Sequence, residues 1–194
     1  MSDPARTLPS LEDALRRVRD GEPIELIGGE IVPREMSRAA HGHVQAKAGE
    51  VLGPFNRRGG SGGPGGWWIL TEVEVLYPRT RELFRHDLVG LRRDRVATRP
   101  TAFPIEERPD WACEILSRST ARYDHVRKKR TLHEHGVPHY WLIDPEDGTL
   151  LVYRHAADGY IDVLSAGPGD RVRAEPFGDV EIDVAELLGL DAGP

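Results

Sequence analysis

The sequence holds one cysteine, Cys113, in 194 residues. That excludes an internal disulfide and any cysteine-based zinc site. Redox chemistry leaves the compartment unmarked, and a cytoplasmic location is expected. No run of about 18 apolar residues is present. The opening "MSDPARTLPSLEDALRRV" also lacks an apolar signal core, so a soluble, untargeted chain with no membrane partner is expected. A formal net charge of -6 excludes a surface that grips nucleic acid everywhere and confines any polyanion site to a local groove.

Lysine is scarce too. Of 26 basic residues only three are lysine, namely Lys47, Lys128 and Lys129. A chain that uses arginine wherever a generic positive charge suffices keeps lysine where a compact amine is needed, since a guanidinium cannot lose its proton. Chance adjacency explains the Lys128-Lys129 pair equally well at this point. The glycine-rich "NRRGGSGGPGG" of residues 56–66 is followed by neither Gly-Lys-Ser/Thr nor a helix, so it is a loop and not a phosphate cradle.

What is present reads as alternating helices and strands in one domain, with a helical segment over residues 1–21 and the main body over 22–190. Ser10 caps a short helix ended by Gly21. "IELIGGEIVP" is a hairpin around Gly28-Gly29 with Glu25 and Glu30 flanking the turn. Residues 38–52 have helical apolar spacing. "WWILTEVEVLYP" and "LFRHDLVGL" are strands separated by a turn near Pro78. A second long helix runs from Ser119 to about Glu134. "PHYWLID", "TLLVYRH" and "YIDVLS" form a meander, and "DVAELLGL" ends the chain in a short helix.

The stretch "PDWACEILSRST", residues 109–120, holds the informative anomaly. Alternation puts Trp111, Cys113 and Ile115 on one face and Ala112, Glu114 and Leu116 on the other, so both faces are mostly apolar. An ionised Glu114 there costs several kcal/mol or so unless it is paired, hydrogen-bonded or bound to a metal. Asp87, on the preceding strand in line with Val89 and Leu91, is a second acid among apolar neighbours. Lys128 shares a helical stripe with Ala121, His125 and Leu132 and points to the core side, whereas Lys129, about 100° round the helix, points elsewhere. Two acids from adjacent strands and an inward amine suit a hard divalent cation, with the Ile115 carbonyl as a further ligand. The chemistry of such a site is phosphodiester hydrolysis.

The run "PDWACEILSRSTARYDHVRKKRTLHEHGVPHYWLIDPEDG", with "ELIGGEIVP", His41 and Asp87, resembles the Uma-type restriction endonuclease family of the PD-(D/E)XK nuclease superfamily. The resemblance covers roughly residues 22 to 160. It implies an α/β (α+β) fold, a restriction-endonuclease-like mixed β-sheet flanked by helices, with magnesium as cofactor, manganese as a substitute and DNA as the partner. By position, Asp87 and Glu114 match the metal-binding acids. The lysine usual two residues after the second acid is replaced by Leu116, and Lys128 fits the position from which relatives supply the amine. His86 replaces a usual proline, and Leu132 stands where an aromatic is common.

Accessory candidates are Glu30, His41 and Asp124. Glu30 reads equally as an added acid or an exposed turn residue, and His41 as a phosphate or metal neighbour or a capping residue. Asp124 reads as a partner holding Lys128 at i, i+4 or a first-turn acid favoured by the helix dipole. Ser117, Ser119 and Thr120 suit helix capping better than a nucleophile cluster. The plainer reading of the main trio is a buried Glu114-Lys128 ion pair with Asp87 as a surface acid. The rival functional class is a non-catalytic nucleic-acid-binding or protein-interaction module on the same fold. The apolar hairpins after residue 138 suit a homodimer, by analogy with enzymes that cut both strands.

Overall fold

The strand Glu82–Arg92 (β4) organises the chain. On one edge it pairs along its length with Trp67–Tyr77 (β3) in an antiparallel hairpin. On the other edge it meets two strands, Ile24–Ile27 (β1) at Leu83 and Trp111–Ile115 (β5) at Leu88, Val89 and Gly90. Between these contacts the edge forks at residues 84–87. The chain is described here from a computed structural model over residues 10–34, 39–57, 64–117 and 121–190.

From β1 the chain turns through Gly28-Gly29 into Glu30–Pro33 (β2). Both glycines have positive φ, 59° and 76°, as a tight two-residue hairpin turn requires. Beyond β5 the sheet continues with His139–Asp144 (β6), which is parallel to β5, and then with antiparallel Thr149–Ala156 (β7) and Gly159–Ala166 (β8). Among the described residues the mixed sheet has eight strands and runs β2-β1-β4-β5-β6-β7-β8, with β3 on β4. A parallel pair inside a sheet is covered on both faces, which explains why all five residues of β5 are buried.

Helices cover both faces. Ala39–Val51 (α2), Gly53–Asn56 (α3) and Val184–Leu187 (α5) lie on one side, over a core that includes Val44, Phe55, Trp111, Trp141, Phe177 and Leu187. Each such side chain contributes about 1.5–3 kcal/mol through burial. Gly90 is needed in this core: a Cβ there would lie 3.0 Å from the Trp67 ring and 3.2 Å from Trp111. On the opposite side Leu132 packs with Val89, Ala112, Tyr140 and Leu142. Leu11–Arg19 (α1) lays Ala14 and Val18 on Leu26 and Leu83, and the Ser10 hydroxyl accepts from the Asp13 N–H as expected of its cap.

The helix after β5 departs from the simple expectation. It is described from Ala121, and Ser119 and Thr120, the expected start, lie outside the described residues, as do Arg38 and residues 58–63 of the glycine-rich loop. Residues Tyr123–Lys128 are wound as a π-helix before Lys129–Glu134 (α4) continues as α-helix. A π turn closes i→i+5 bonds and takes more residues per turn, so His125 turns away while Asp124, four residues before Lys128, stays on the buried face with it. His125 is exposed, which corrects the stripe drawn from α-helical spacing. Neither α3 nor the ribbon of Arg171–Val172 (β9) and Ile182–Asp183 (β10) is long enough to carry a periodic signal.

Candidate active site

Where strands part, backbone N–H groups lose their ladder partners, and each left unmade in the interior costs about 1–3 kcal/mol. At the fork carboxylates take that place. Glu25 Oε1 accepts from the Arg85 N–H at 2.8 Å, and Asp87 Oδ2 accepts from the Ile115 N–H at 2.7 Å. The acids therefore belong to the fold's hydrogen bonding as well as to its charge.

Lys128 enters the fork from the π-helical turn. Its Nζ lies 2.9 Å from Glu25 Oε1, 3.2 Å from Glu114 Oε1 and 3.2 Å from Asp124 Oδ1. All four side chains are buried. Burial works to lower the Lys128 pKa, yet Glu114, Glu25 and Asp124 together hold it well above the usual amine value. Burial pushes Glu114 up to about 8, against the pull of Lys128, with Asp87 and Glu25 adding to the rise. Three acids around one amine leave an excess of negative charge in the interior.

Asp87 is the centre of a second group. Arg34 Nη2 stands 2.9 Å from its Oδ1 and 3.7 Å from Glu72 Oε2. Gln45 Nε2 donates to the Asp87 carbonyl and to Glu72 Oε1, each at 3.0 Å. Burial works against the charge on Asp87, but His41, Arg34 and the Ile115 N–H lower its pKa to about 2. Glu72, opposite Asp87 across the β3–β4 hairpin, has φ 53°, a left-handed conformation that costs a non-glycine residue about 1–3 kcal/mol.

The donor chemistry of this group fits a divalent cation. One ligand atom from each of His41, Glu72 and Asp87 lies within 4.8 Å of the others. His41 Nε2 is 3.3 Å from Asp87 Oδ1 but lacks hydrogen-bond geometry, and this buried nitrogen has no other partner among the described residues. Charge, and not a hydrogen bond, ties it to that strongly ionised acid.

The two groups meet through adjacent residues. His86, next to Asp87, places Nδ1 2.5 Å from Glu114 Oε1, and Ile115, next to Glu114, donates its N–H to Asp87. The fold thus gathers Asp87, Glu114, Ile115, Lys128, His41 and Asp124 at one fork. Asp87 is 2 % exposed, so the plainer reading of it as a surface acid fails. Glu30 is not brought in: it is exposed and faces Arg127 Nη1 at 3.5 Å.

Four participants, Glu25, His86, Glu72 and Arg34, are not among the candidates the sequence offers. Glu25 carried the same signal as Glu114, an acid in the apolar "IELI". His86 stands out in the sequence only as a replacement for proline. Glu72 in "LTEVEVL" looks like the solvent face of an alternating strand, and its positive φ has no sequence signature in a non-glycine residue. Arg34 is one arginine among many.

The chain is similar in fold to a crystal structure described as a putative nuclease belonging to DUF820 from Anabaena variabilis ATCC 29413. The TM-score is 0.70 at 19% identity, over 94% of this chain and 98% of the other. No curated protein matches the chain. Residues 10–185 match the sequence profile of Uma2, described as "Putative restriction endonuclease", and the chain belongs to that family.

Proposed function

We propose that the protein is a metal-dependent endonuclease of the PD-(D/E)XK type that hydrolyses phosphodiester bonds in DNA. The observation that carries this reading is the burial at one fork of Asp87 from β4, Glu114 from β5 and Lys128 from the following helix. Family membership supports it independently.

In this reading Asp87 and Glu114 hold the cation, magnesium with manganese as a substitute, with the Ile115 carbonyl as a further ligand and His41 and Glu72 beside Asp87. When bound, such an ion polarises a phosphoryl oxygen and lowers the pKa of a coordinated water. Asp87 stays ionised because Arg34, His41 and the Ile115 N–H favour its charged form. Lys128 keeps its proton, orients Glu114 and supplies positive charge against the negative charge that develops at phosphorus. Asp124, one helical turn before Lys128, holds that amine in place. A homodimer would present two such sites, one for each strand of a duplex.

The test is cleavage of supercoiled plasmid with magnesium, with manganese and with chelator, on the wild type, Asp87→Asn and Glu114→Gln. Metal-dependent nicking that both variants lose is expected. Duplex DNA that is bound equally well with and without metal and never cut would overturn the reading in favour of a non-catalytic module. A single-stranded RNA arm decides between the two nucleic acids, and light scattering of the free and DNA-bound protein decides the dimer.

A further inference from the structure

Beneath Glu114 lies a buried polar chain that the proposed chemistry does not use. His86 is 0 % exposed and Tyr77 1 % exposed. Tyr77 Oη lies 2.7 Å from His86 Nε2, and His86 Nδ1 lies 2.5 Å from Glu114 Oε1. The Tyr77 ring also packs on Phe84 of the paired strand at 4.9 Å and edge-on against His135, at the end of α4, at 5.1 Å between centroids. Phe84 and Tyr77 both meet the His86 imidazole edge-on, at 5.9 Å each, so the ring is fixed on two sides.

A neutral imidazole has one donor and one acceptor nitrogen. A phenol that donates to Nε2 makes Nε2 the acceptor and places the proton on Nδ1, where it meets a carboxylate oxygen. With Glu114 ionised, the form that holds a cation, the opposite tautomer would set the lone pair of Nδ1 against the carboxylate and leave that buried contact repulsive. From this geometry we infer that His86 is a positioning residue for Glu114. Tyr77 fixes the His86 tautomer, and His86 Nδ1–H fixes the carboxylate. Lys128 reaches the same oxygen, Oε1, at 3.2 Å, so two donors converge there and set the direction of the whole carboxylate before any cation arrives. Histidine at this position thus takes over, from inside the sheet, the orienting task that outer partners perform for metal-binding side chains.

This inference rests on the proposal that Glu114 is a metal ligand, and the experiment separates the two. Manganese binding is measured by calorimetry on the wild type, His86→Leu, His86→Asn, Tyr77→Phe and Glu114→Ala, with folding of each checked by circular dichroism. The tautomer of His86 is read on the metal-free wild type, at a pH at which Glu114 is ionised, from the nitrogen-15 shifts of its ring. Expected are a proton on Nδ1, a manganese affinity about 10–100-fold weaker in His86→Leu, and recovery of most of that loss in His86→Asn, whose amide donates from nearly the same place. Tyr77→Phe, which keeps the ring and removes the phenol, should show a mixed tautomer and an intermediate affinity. A proton on Nε2, or a folded His86→Leu that binds manganese as tightly as the wild type while Glu114→Ala does not, would overturn the positioning role alone. A wild type that binds no manganese would overturn the metal-ligand reading and this role with it.

Discussion

Lys128 Nζ stands 3.2 Å from Glu114 Oε1 and 2.9 Å from Glu25 Oε1, so one ammonium ties a helix to two strands that do not pair with each other. Removing one partner of a buried ionic group is costly because the remaining charges lose their compensation. Lys128→Met should therefore destabilise the chain by about 3–5 kcal/mol, read as a lower urea midpoint. Adding Glu25→Gln to Lys128→Met should recover part of the loss, because one of the stranded carboxylates is then neutral. Purely additive losses in the double variant would show that the two groups do not interact.

Glu25 itself bridges the fork, accepting from the Arg85 N–H and facing Lys128. Glu25→Gln keeps the acceptor oxygen but removes the charge. We expect a modest stability change, and cleavage reduced through the weaker hold on Lys128. Glu25→Ala, which also strips the partner from the Arg85 N–H, should cost about 1–3 kcal/mol more. Equal stabilities of the two variants would place the role of Glu25 in its charge alone.

Glu30 supplies the contrast on the same hairpin. Its carboxylate is 55% exposed and lies 3.5 Å from Arg127, itself 39% exposed. An ion pair in that setting contributes about 0–1 kcal/mol. Glu30→Ala should leave the urea midpoint nearly unchanged and cleavage at the wild-type level. A loss of cleavage on Glu30→Ala would restore it as an accessory acid.

The difference between Glu25 and Glu30 marks how far sequence reading reaches. Strands β1 to β8 and helices α1 and α2 follow from alternation, caps and turn residues, and Glu114 announces itself as an acid in an apolar run. The partners around it depend on where β4 changes neighbours from β1 to β5, a non-local event with no local pattern. The winding of the next helix is equally hidden: α-helical spacing offers both Asp124 and His125 to the face of Lys128, and the π turn keeps Asp124 there and turns His125 out. His41 at the start of α2 was legible as a candidate, whereas Glu72 depends on a backbone conformation its residue type does not signal.

The pH dependence of stability gives a last test, and its sign differs between the acids. Asp87 is held at about 2 against its ordinary 3.8, so its contribution is complete above pH 3.8 and is lost as pH falls toward 2. Burial lowers His86 to about 3, so it too stops favouring the fold as pH falls, from 6.5 downward. His139, likewise lowered by burial, acts in the same sense below 6.5. Glu114 is the opposite case. Its pKa rises from 4.5 to about 8, so the native state keeps a proton that the unfolded chain has lost, and stability falls as pH rises between those values. His41 is raised above its ordinary 6.5, chiefly by Asp87 against its burial, and adds a fall of the same sign. As pH rises past 6.5 the opposing His86 and His139 lose their remaining protons in the unfolded chain too, and their effect fades. In the metal-free chain the urea midpoint should therefore drop between pH 6.5 and 8. Glu114→Gln should make that drop smaller, leaving the part due to His41. Magnesium, if Glu114 must ionise to hold it, should release a proton on binding at pH 7, measurable by calorimetry in two buffers of different ionisation enthalpy. A slope between pH 6.5 and 8 that Glu114→Gln leaves untouched would mean that Glu114 is already ionised against Lys128 in the native state.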